Sequence, residues 1–351
     1  MKTKKIAVLF GGRSPEYPVS LHSAAAVLQH IDRTRFEPVC IGIARSGAWY
    51  YYTGGAAEIE NDTWCSEGKC VPAQLSLTPD APGLLVPAAE GERKLPLDAA
   101  FPVLHGQNGE DGSVQGLCQL AGLPVVGCGV LASALCMDKQ RAHALARQAG
   151  IETPRNVLVR RQTPLAEVQA LAQALSWPLF VKPLRAGSSF GVSKVSQLQA
   201  LPRALEAAFA YDSAALLEQA VDGFEVGCAV MGDRELFCGV PDEIELTDGF
   251  FDYTEKYGLL TSRIHVPARV PEEKLSEIQA VARRLYRALG CEGFARVDLF
   301  VRPDGALVFN EINTIPGFTP HSRFPAMMAA AGRDFSSVVN GAIAAALERA
   351  Q

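Results

Sequence analysis

The chain has 351 residues and a formal net charge of -5, from 33 Lys and Arg against 38 Asp and Glu side chains. A chain of this length is too long for a single ordinary hydrophobic core and fits two or three packed domains. An apolar content of 48% excludes a disordered protein. Because the basic residues are scattered along the chain, no nucleic-acid partner is expected. The composition therefore favours a protein that acts on small molecules.

No apolar segment is long enough to cross a membrane, so no membrane partner is expected. The apolar run 6–10 leads directly into glycines, and the stretch 123–137 is interrupted by Pro124, Gly127 and Gly129. The nine cysteines lack the paired spacing of a metal site. Reduced thiols and a cytoplasmic location are therefore expected.

The N-terminal third predicts a parallel α/β domain. An apolar strand at 5–10 precedes a glycine turn, a periodic helix at 21–31 and a strand at 39–43. The glycines, prolines and polar residues of 45–95 predict an insertion or a loop-rich excursion. A buried strand returns at 99, followed by a helix at 113–121, a short strand at 123–127 and a helix at 139–149. We place the end of this first domain, 1–127, near Cys128.

The rest of the chain predicts α/β and α+β structure in two further domains, 128–214 and 215–351. In the first, WPLFVKP and GVSKV predict two antiparallel strands joined by a glycine-serine loop. In the second, strands recur up to ARVDLFV, and the chain closes with a helix at 336–349.

The glycine-serine loop 185–191 follows Lys182 in a buried-looking strand. Its backbone N–H groups could surround phosphate oxygens while Lys182 supplies positive charge. The loop lacks the GxxxxGK[ST] pattern of P-loop ATPases. By itself the composition fits a flexible hairpin equally well.

The segments RVDLF and VFNEIN predict a hairpin that turns at Pro303-Asp304-Gly305. Pairing would bring Asp298, Glu311 and Asn313 together, since residues two apart in a strand share a face. Two carboxylates and an amide are oxygen donors of the kind that Mg²⁺ prefers. Because their neighbours are strongly apolar, we favour a metal site over a solvated strand end.

Two glycine-rich segments of the first domain also carry polar side chains. His105, Glu110 and Asp111 follow a buried strand, at the sheet edge where ligands of α/β folds bind, although a simple turn before a helix would look similar. Glu16 lies where the first helix begins, and alone it predicts a carboxylate that caps the helix.

Taken together, these residues resemble the D-alanine:D-alanine ligase family of the ATP-grasp superfamily. The resemblance rests on seven segments in order: GGRSPEYPVS, HGQNGEDGSVQG, MDKQ, VKPLRAGSS, DYTEKY, RVDLF and NEINTIPGFTPHS. It implies a parallel-sheet N-terminal domain followed by a two-lobed ATP-grasp fold. It also implies an ATP-dependent, ADP-forming carboxylate-amine ligase that makes a D-alanyl dipeptide for peptidoglycan synthesis through a D-alanyl phosphate, as a cytoplasmic homodimer.

The resemblance implies ATP and two Mg²⁺ ions, with Mn²⁺ as an alternative metal. Asp298, Glu311 and Asn313 would bind the metal ions. Lys139 and Lys182 would hold the phosphates, and adenine would meet Glu218 and the Val221 backbone. The implied nucleotide-binding residues are Lys139, Lys182, Ser189, Glu218, Val221, Glu225 (through the ribose hydroxyls), Lys256 and Asn310.

The resemblance also assigns residues to the reacting groups. Glu16 would anchor the ammonium of the first D-alanine and join Ser188 and Tyr257 in a hydrogen-bonded triad, and a loop at 249–264 would close the site. Arg296 and the Gly317 N–H would stabilise the oxyanion. The implied substrate-binding residues are Val19, His105, Asp242, Phe251, Ser322 and Arg323.

The second substrate stays open between D-alanine and D-serine. Arg323 replaces the Leu or Met of many D-Ala-D-Ala ligases, and with Asp242 and Phe251 it is similar to D-alanine:D-serine ligases of the vancomycin-resistance type. Tyr257 argues against lactate-forming relatives, which carry His there. Another ATP-grasp ligase and a non-catalytic nucleotide-binding module are the remaining alternatives.

Overall fold

A computed structural model of the protein describes residues 3–66, 68–246 and 262–350. Within these residues the chain forms three main sheets and a small fourth one, with helices against their faces. None of the described helices combines the length and the apolar character that a bilayer crossing requires.

The first sheet is built around β1 (Lys4–Gly11), whose apolar run is buried. β1 pairs in parallel with β2 (Phe36–Ile43) on one side and with β8 (Ala99–Pro102) on the other. α1 (Tyr17–His30) connects β1 to β2, which confirms the predicted parallel α/β start. The helix begins earlier than predicted, at Tyr17.

The prediction that 45–95 is rich in loops is wrong, because the described residues of this region form five strands and a helix. β3 (Trp49–Tyr52) and β4 (Cys70–Pro72) extend the first sheet by antiparallel pairing, and α2 (Ala56–Glu60) lies between them. Three more strands form a separate antiparallel sheet. Because each of these strands has only three to six residues, their alternation is too short to recognise in the sequence. The separate sheet consists of β5 (Gln74–Ser76), β6 (Gly83–Ala88) and β7 (Gly91–Pro96).

Three helices follow the first sheet. α3 (Ser113–Leu120) and α5 (Lys139–Gln148) were predicted, whereas α4 (Val130–Met137) was not. The strand expected at 123–127 is reduced to a single parallel bridge between Ala100 and Val125.

The second sheet is antiparallel, in the order β11-β10-β12-β9. The predicted hairpin with the glycine-serine loop is confirmed, because β10 and β11 pair directly. α6 (Leu165–Gln173) and α7 (Leu201–Phe209) bury their apolar sides against this sheet. Its strands are β9 (Asn156–Arg160), β10 (Leu179–Pro183), β11 (Ser193–Val195) and β12 (Ala214–Gln219).

The third sheet has the order β16-β15-β13-β17-β18, with β14 paired to β13. The predicted hairpin is confirmed, because β17 pairs antiparallel with β18 and Gly305 in the turn has φ +82°. α8 (Glu272–Ala288) packs on this sheet. Its strands are β13 (Phe224–Met231), β14 (Phe237–Cys238), β15 (Asp242–Leu246), β16 (Ser262–His265), β17 (Phe294–Val301) and β18 (Leu307–Asn313).

The C-terminal helices return to the first sheet. α9 (Arg323–Ala330) is followed by α10 (Phe335–Arg349), whose Val338 and Ile343 share one core with Ile6 of β1. The first and last parts of the chain therefore pack together. The domain limits 1–127, 128–214 and 215–351 stay predictions.

Candidate functional site

A cleft of about 600 Å³ lies between the second and third sheets. Because side chains alternate between the two faces of a strand, each sheet presents a row of polar groups to this space. The structure brings together here the predicted residues Lys139, Lys182, Ser189, Glu218, Val221, Glu225, Asn310 and Glu311. Their individual roles stay predictions.

Lys182 and Glu218 form an ion pair inside the cleft. They lie on the paired strands β10 and β12, with Lys182 Nζ 2.5 Å from Glu218 Oε1. The other carboxylate oxygen, Oε2, is buried and has no hydrogen-bond partner among the described residues. A buried acceptor without a donor costs about 1–3 kcal/mol. This oxygen is therefore suited to accept from a ligand N–H, such as the amino group of adenine.

His143 supports the same wall of the cleft, and the sequence analysis missed it. On α5, its Nε2 donates to the Asn310 carbonyl (2.9 Å), and its Nδ1 accepts from the Asn156 amide (3.0 Å). Burial lowers the pKa of His143, which favours the neutral imidazole that this pattern requires. Its position one helical turn after Lys139 was the available signal.

Lys139 connects the glycine-serine loop to the third sheet. Its Nζ donates to the Ala186 carbonyl (2.7 Å) and lies 3.9 Å from Glu311 Oε2. Asp138 caps α5 by accepting from the Arg141 N–H (3.0 Å), which fixes the first turn of the helix. The amine of Lys139 is thereby held between the loop and the predicted metal site.

The glycine-serine loop has a strained backbone at its tip. Ser188 and Ser189 have φ values of +48° and +58°, in the left-handed region that non-glycine residues rarely adopt. At the start of the loop, Arg185 binds both carboxylate oxygens of Asp212, at 3.0 and 2.9 Å. Local strain of this kind persists where the surrounding structure enforces it, which is common at ligand sites.

Glu16 contacts the glycine-serine loop from a cavity other than the cleft between the second and third sheets. The helix-capping interpretation is wrong, because Glu16 occupies the N-cap position of α1 but makes no capping bond with its side chain. Its buried carboxylate instead accepts from the Ser188 hydroxyl, and a Cβ at Gly187 would lie 3.0 Å from it. It borders a cavity of about 550 Å³, with Val19 buried in the next turn of α1. A carboxylate so placed is suited to hold an ammonium group.

His105 and Glu110 fix the segment that leads to Gly317. His105 Nδ1 lies 2.9 Å from the Ile315 carbonyl, and Glu110 accepts from the Gly106 and Ile315 N–H groups, at 2.9 and 3.1 Å. Burial lowers the pKa of His105 to about 4. Burial, and then the charge of Glu16, raises the pKa of Glu110 to about 8. His105 lines a separate cavity of about 230 Å³, so its contact with substrate stays a prediction.

The predicted metal-binding side chains lie together on β17 and β18. Asp298 is directly opposite Glu311 in the register, and Arg296 is opposite Asn313, so all four lie on one face. Asp298, which is 1% exposed, accepts from the Asn313 amide (2.9 Å) and from Arg296 Nε (2.8 Å) and Nη2 (2.7 Å). The carboxylates of the hairpin thus converge as predicted.

The donor set fits a hard cation that shares its ligands with a phosphate. Across the described residues, no group of three or more His, Cys, Asp and Glu side chains could hold a metal ion by itself. Asp298, Glu311 and Asn313 offer two carboxylates and an amide, so further ligands must come from elsewhere. Mg²⁺ is commonly bound by one or two carboxylates together with substrate phosphates.

A buried ionic cluster lies beside these residues on the same sheet. The guanidinium of Arg323, at the start of α9, binds Asp242 through Nε (2.7 Å) and Nη2 (2.8 Å) and Glu225 through Nη1 (3.0 Å). Arg323 is 7% exposed and Asp242 is fully buried. On β13 between them, Gly227 provides the space, because a Cβ there would lie 2.6 Å from Asp242 Oδ1.

Ser322 and Gly317 lie just before α9. Ser322 Oγ accepts from the Thr319 N–H (3.2 Å) and lies 2.8 Å from the Thr319 hydroxyl, which closes a tight turn. In the part of the chain that the structure describes, the Gly317 N–H has no hydrogen-bond acceptor. It is therefore a donor available to a ligand oxygen. Phe251, Lys256, Tyr257 and most of the loop 249–264 lie outside the described residues.

The chain is similar to known proteins along nearly its whole length. Family models described as D-ala D-ala ligase N-terminus and C-terminus match residues 5–128 and 145–344. Vancomycin C-type resistance protein VanC1 of Enterococcus gallinarum is 48% identical over 98% of this chain and 99% of that protein. D-alanine–D-alanine ligase A of Mesorhizobium japonicum is 45% identical, covering 99% of each chain. The crystal structure of VanG D-Ala:D-Ser ligase from Enterococcus faecalis superposes with a TM-score of 0.91 at 50% identity, covering 98% of this chain and 100% of that one.

Proposed function

The chain belongs to the D-alanine–D-alanine ligase family and is an ATP-dependent ligase, and from this premise we propose that it joins D-alanine to D-serine. The observation that carries the choice of D-serine is the buried pair of Arg323 and Asp242. With an apolar residue at position 323, the pocket for the second substrate would have an apolar wall. This pair instead supplies polar groups that could hydrogen-bond to the side-chain hydroxyl of D-serine. VanG, which is 50% identical, is a D-Ala:D-Ser ligase.

The nucleotide occupies the cleft between the second and third sheets in this proposal. Lys139 and Lys182 hold the phosphates with Ser189 and the loop N–H groups, and Asn310 borders the same cleft. The unpartnered oxygen of Glu218 and the Val221 backbone take adenine, and Glu225 takes the ribose hydroxyls.

Asp298, Glu311 and Asn313 would hold two Mg²⁺ ions, or Mn²⁺, at the phosphate end of the cleft. Bound there, the metal would neutralise charge on the transferred phosphoryl group. Arg296 holds the Asp298 carboxylate through two nitrogens, and Glu311 lies directly opposite Asp298 in the register of the neighbouring strand.

The first D-alanine is held by its ammonium on the carboxylate of Glu16, which Ser188 orients. Its own carboxylate attacks the γ-phosphate, which gives an acyl phosphate and ADP. The second amino acid loses a proton from its ammonium group, and the resulting amine attacks the acyl carbon. Arg296 and the Gly317 N–H then stabilise the oxyanion before phosphate leaves.

D-Alanine as the second substrate is the other candidate. It is favoured by the 45% identity to a protein named D-alanine–D-alanine ligase A. A D-lactate acceptor ranks lower, since Tyr257 stands where lactate-forming relatives carry His. Either dipeptide would enter peptidoglycan precursors.

We also propose that the protein is cytoplasmic and forms a homodimer. Analytical sedimentation of the purified protein would test the dimer.

The test is ADP formation by the purified protein with D-alanine alone, with D-alanine and D-serine, and with D-alanine and D-lactate, against mixtures that contain other amino acids and no D-alanine. Each product is identified by mass. We expect ADP release that depends on D-alanine, with D-alanyl-D-serine as the main product of the mixture. D-Alanyl-D-alanine as the main product would overturn the choice of D-serine. A different carboxylate-amine ligase would release ADP with another amino acid but not with D-alanine, whereas a non-catalytic module would release none with any amino acid.

A further inference from the structure

Arg323 contacts three acidic residues that belong to different parts of the proposed site: Asp242, Glu225 and, at 3.5 Å, the predicted metal ligand Asp298. Its Nε and Nη2 hold Asp242 in a fork, and its Nη1 lies 3.0 Å from Glu225 Oε1. Glu225 lines the nucleotide cleft, whereas neither Arg323 nor Asp242 does. One guanidinium therefore connects Glu225 in the wall of the cleft to Asp242, which with Arg323 forms the proposed pocket for the second substrate (the acceptor pocket).

The geometry of the sheet makes this connection rigid. Asp242 on β15 is directly opposite Gly227 on β13, and Gly227 accordingly shares a face with Glu225, two residues earlier. The Asp242 carboxylate also accepts from the Gly227 N–H (2.8 Å). Because Asp242 is fully buried and Arg323 is 7% exposed, water cannot readily replace a lost contact. A shift of the Arg323 guanidinium must therefore change the position of the Glu225 carboxylate.

We propose that Arg323 is a positioning residue for the nucleotide as well as part of the acceptor pocket, and that it couples occupancy of the two sites through Glu225. This inference rests on the proposed function, because it uses the proposed roles of Glu225 and Arg323. Coupling between sites is reciprocal, so an acceptor that changes the geometry of Arg323 changes nucleotide affinity by the same factor as nucleotide changes acceptor affinity.

The experiment is calorimetric titration of the full chain with the non-hydrolysable analogue AMP-PNP and Mg²⁺, with D-alanine present throughout and with or without D-serine. We expect D-serine to change the dissociation constant of AMP-PNP about fivefold or more in the wild-type protein, in the range of measured couplings. Arg323→Lys keeps the charge but loses the planar fork, so the D-serine effect should fall below about twofold.

Glu225→Gln provides an independent variant that leaves the Arg323–Asp242 fork intact. It should weaken AMP-PNP binding and also remove the D-serine effect. The matched control is Glu218→Gln, another carboxylate of the cleft, which contacts Lys182 rather than Arg323. Glu218→Gln should weaken AMP-PNP binding and keep the D-serine effect.

A D-serine effect that persists in both Arg323→Lys and Glu225→Gln would overturn the coupling, as would the absence of any effect in the wild-type protein. If the wild-type enzyme forms D-alanyl-D-alanine only, the proposed choice of D-serine fails by itself. The coupling is then measured in the same way with excess D-alanine as the acceptor, so the two failures are distinguishable.

Discussion

The guanidinium of Arg323 lies against the backbone of Gly227, in the place where any other residue would have its Cβ. Asp242 and Asp298 border the same space, with Oδ1 atoms 2.6 and 3.1 Å from the position of that Cβ. Gly227 does not have a positive φ, so its backbone conformation does not require glycine. Glycine is required here because a side chain would overlap the guanidinium. A β-strand residue without a side chain thus makes room for a buried ion pair.

Gly227→Ala should therefore displace Arg323 and reduce the use of D-serine. The methyl group would overlap the guanidinium, and overpacking of this kind typically costs about 1–3 kcal/mol of unfolding free energy. The measurements are the free energy of unfolding and the ratio of D-alanyl-D-serine to D-alanyl-D-alanine. Gly116→Ala in α3 is the control, because its Cβ would meet only one atom, at 3.9 Å. An unchanged product ratio in Gly227→Ala would contradict the role given to Arg323.

Arg323→Leu should shift the product from D-alanyl-D-serine toward D-alanyl-D-alanine, because it removes the polar group from the acceptor pocket. The variant also leaves the buried Asp242 without its cation, which typically costs about 3–5 kcal/mol. The double variant Arg323→Leu with Asp242→Asn removes that charge and should recover part of the loss in stability. Product ratios by mass spectrometry separate the two effects. The same ratio in wild type and both variants would eliminate the pocket argument.

Glu311→Gln should abolish phosphate release and leave the fold intact. Its side chain is 23% exposed at the cleft and lies opposite Asp298, so the change removes a charge that a cation needs without opening a cavity. Phosphate release and the thermal midpoint are the two measurements. Asp304→Asn, in the hairpin turn with a 61% exposed side chain, should retain wild-type rates. Wild-type turnover in Glu311→Gln would contradict the metal assignment.

The parts of the fold that were predicted correctly are those whose signal is local. The β17–β18 hairpin has long alternating strands and a Pro-Asp-Gly turn. Its register places Asp298 opposite Glu311, so their proximity could be predicted once the hairpin was recognised. The region 45–95 was missed because its strands are short and depend on pairing partners elsewhere in the chain. Propensity alone cannot predict such strands.

Glu16 illustrates the same limit within the site. Its local sequence predicts a helix cap, yet its side chain bonds to Ser188 in a loop of another sheet. Only the resemblance to a family pointed to that contact. Likewise, nothing local in the sequence indicates that Lys139 donates to the Ala186 carbonyl or that Arg323 reaches Glu225. These contacts depend on how the sheets pack.

The raised pKa of Glu110 predicts that the folded protein loses stability as the pH rises from mildly acidic to mildly alkaline values. Burial, and then the charge of Glu16, moves the pKa of this carboxyl from 4.5 to about 8. The folded protein therefore holds a proton that the unfolded chain releases, so the contribution to stability is complete below pH 4.5 and is lost as the pH rises to about 8.

Glu110→Gln cannot ionise and should remove this dependence. Its single amide oxygen can accept from only one of the Gly106 and Ile315 N–H groups, which bond to different oxygens of Glu110, so the variant should also be less stable by an amount that does not itself depend on pH. We expect the free energy of unfolding of the variant, relative to wild type, to increase steadily from pH 5 to pH 8. Denaturant titrations at several pH values measure it. His105 does not produce the same trend, because its pKa is lowered to about 4 and its contribution is lost only toward acid. Parallel stability curves for wild type and variant over this range would show that Glu110 is ionised in the folded protein.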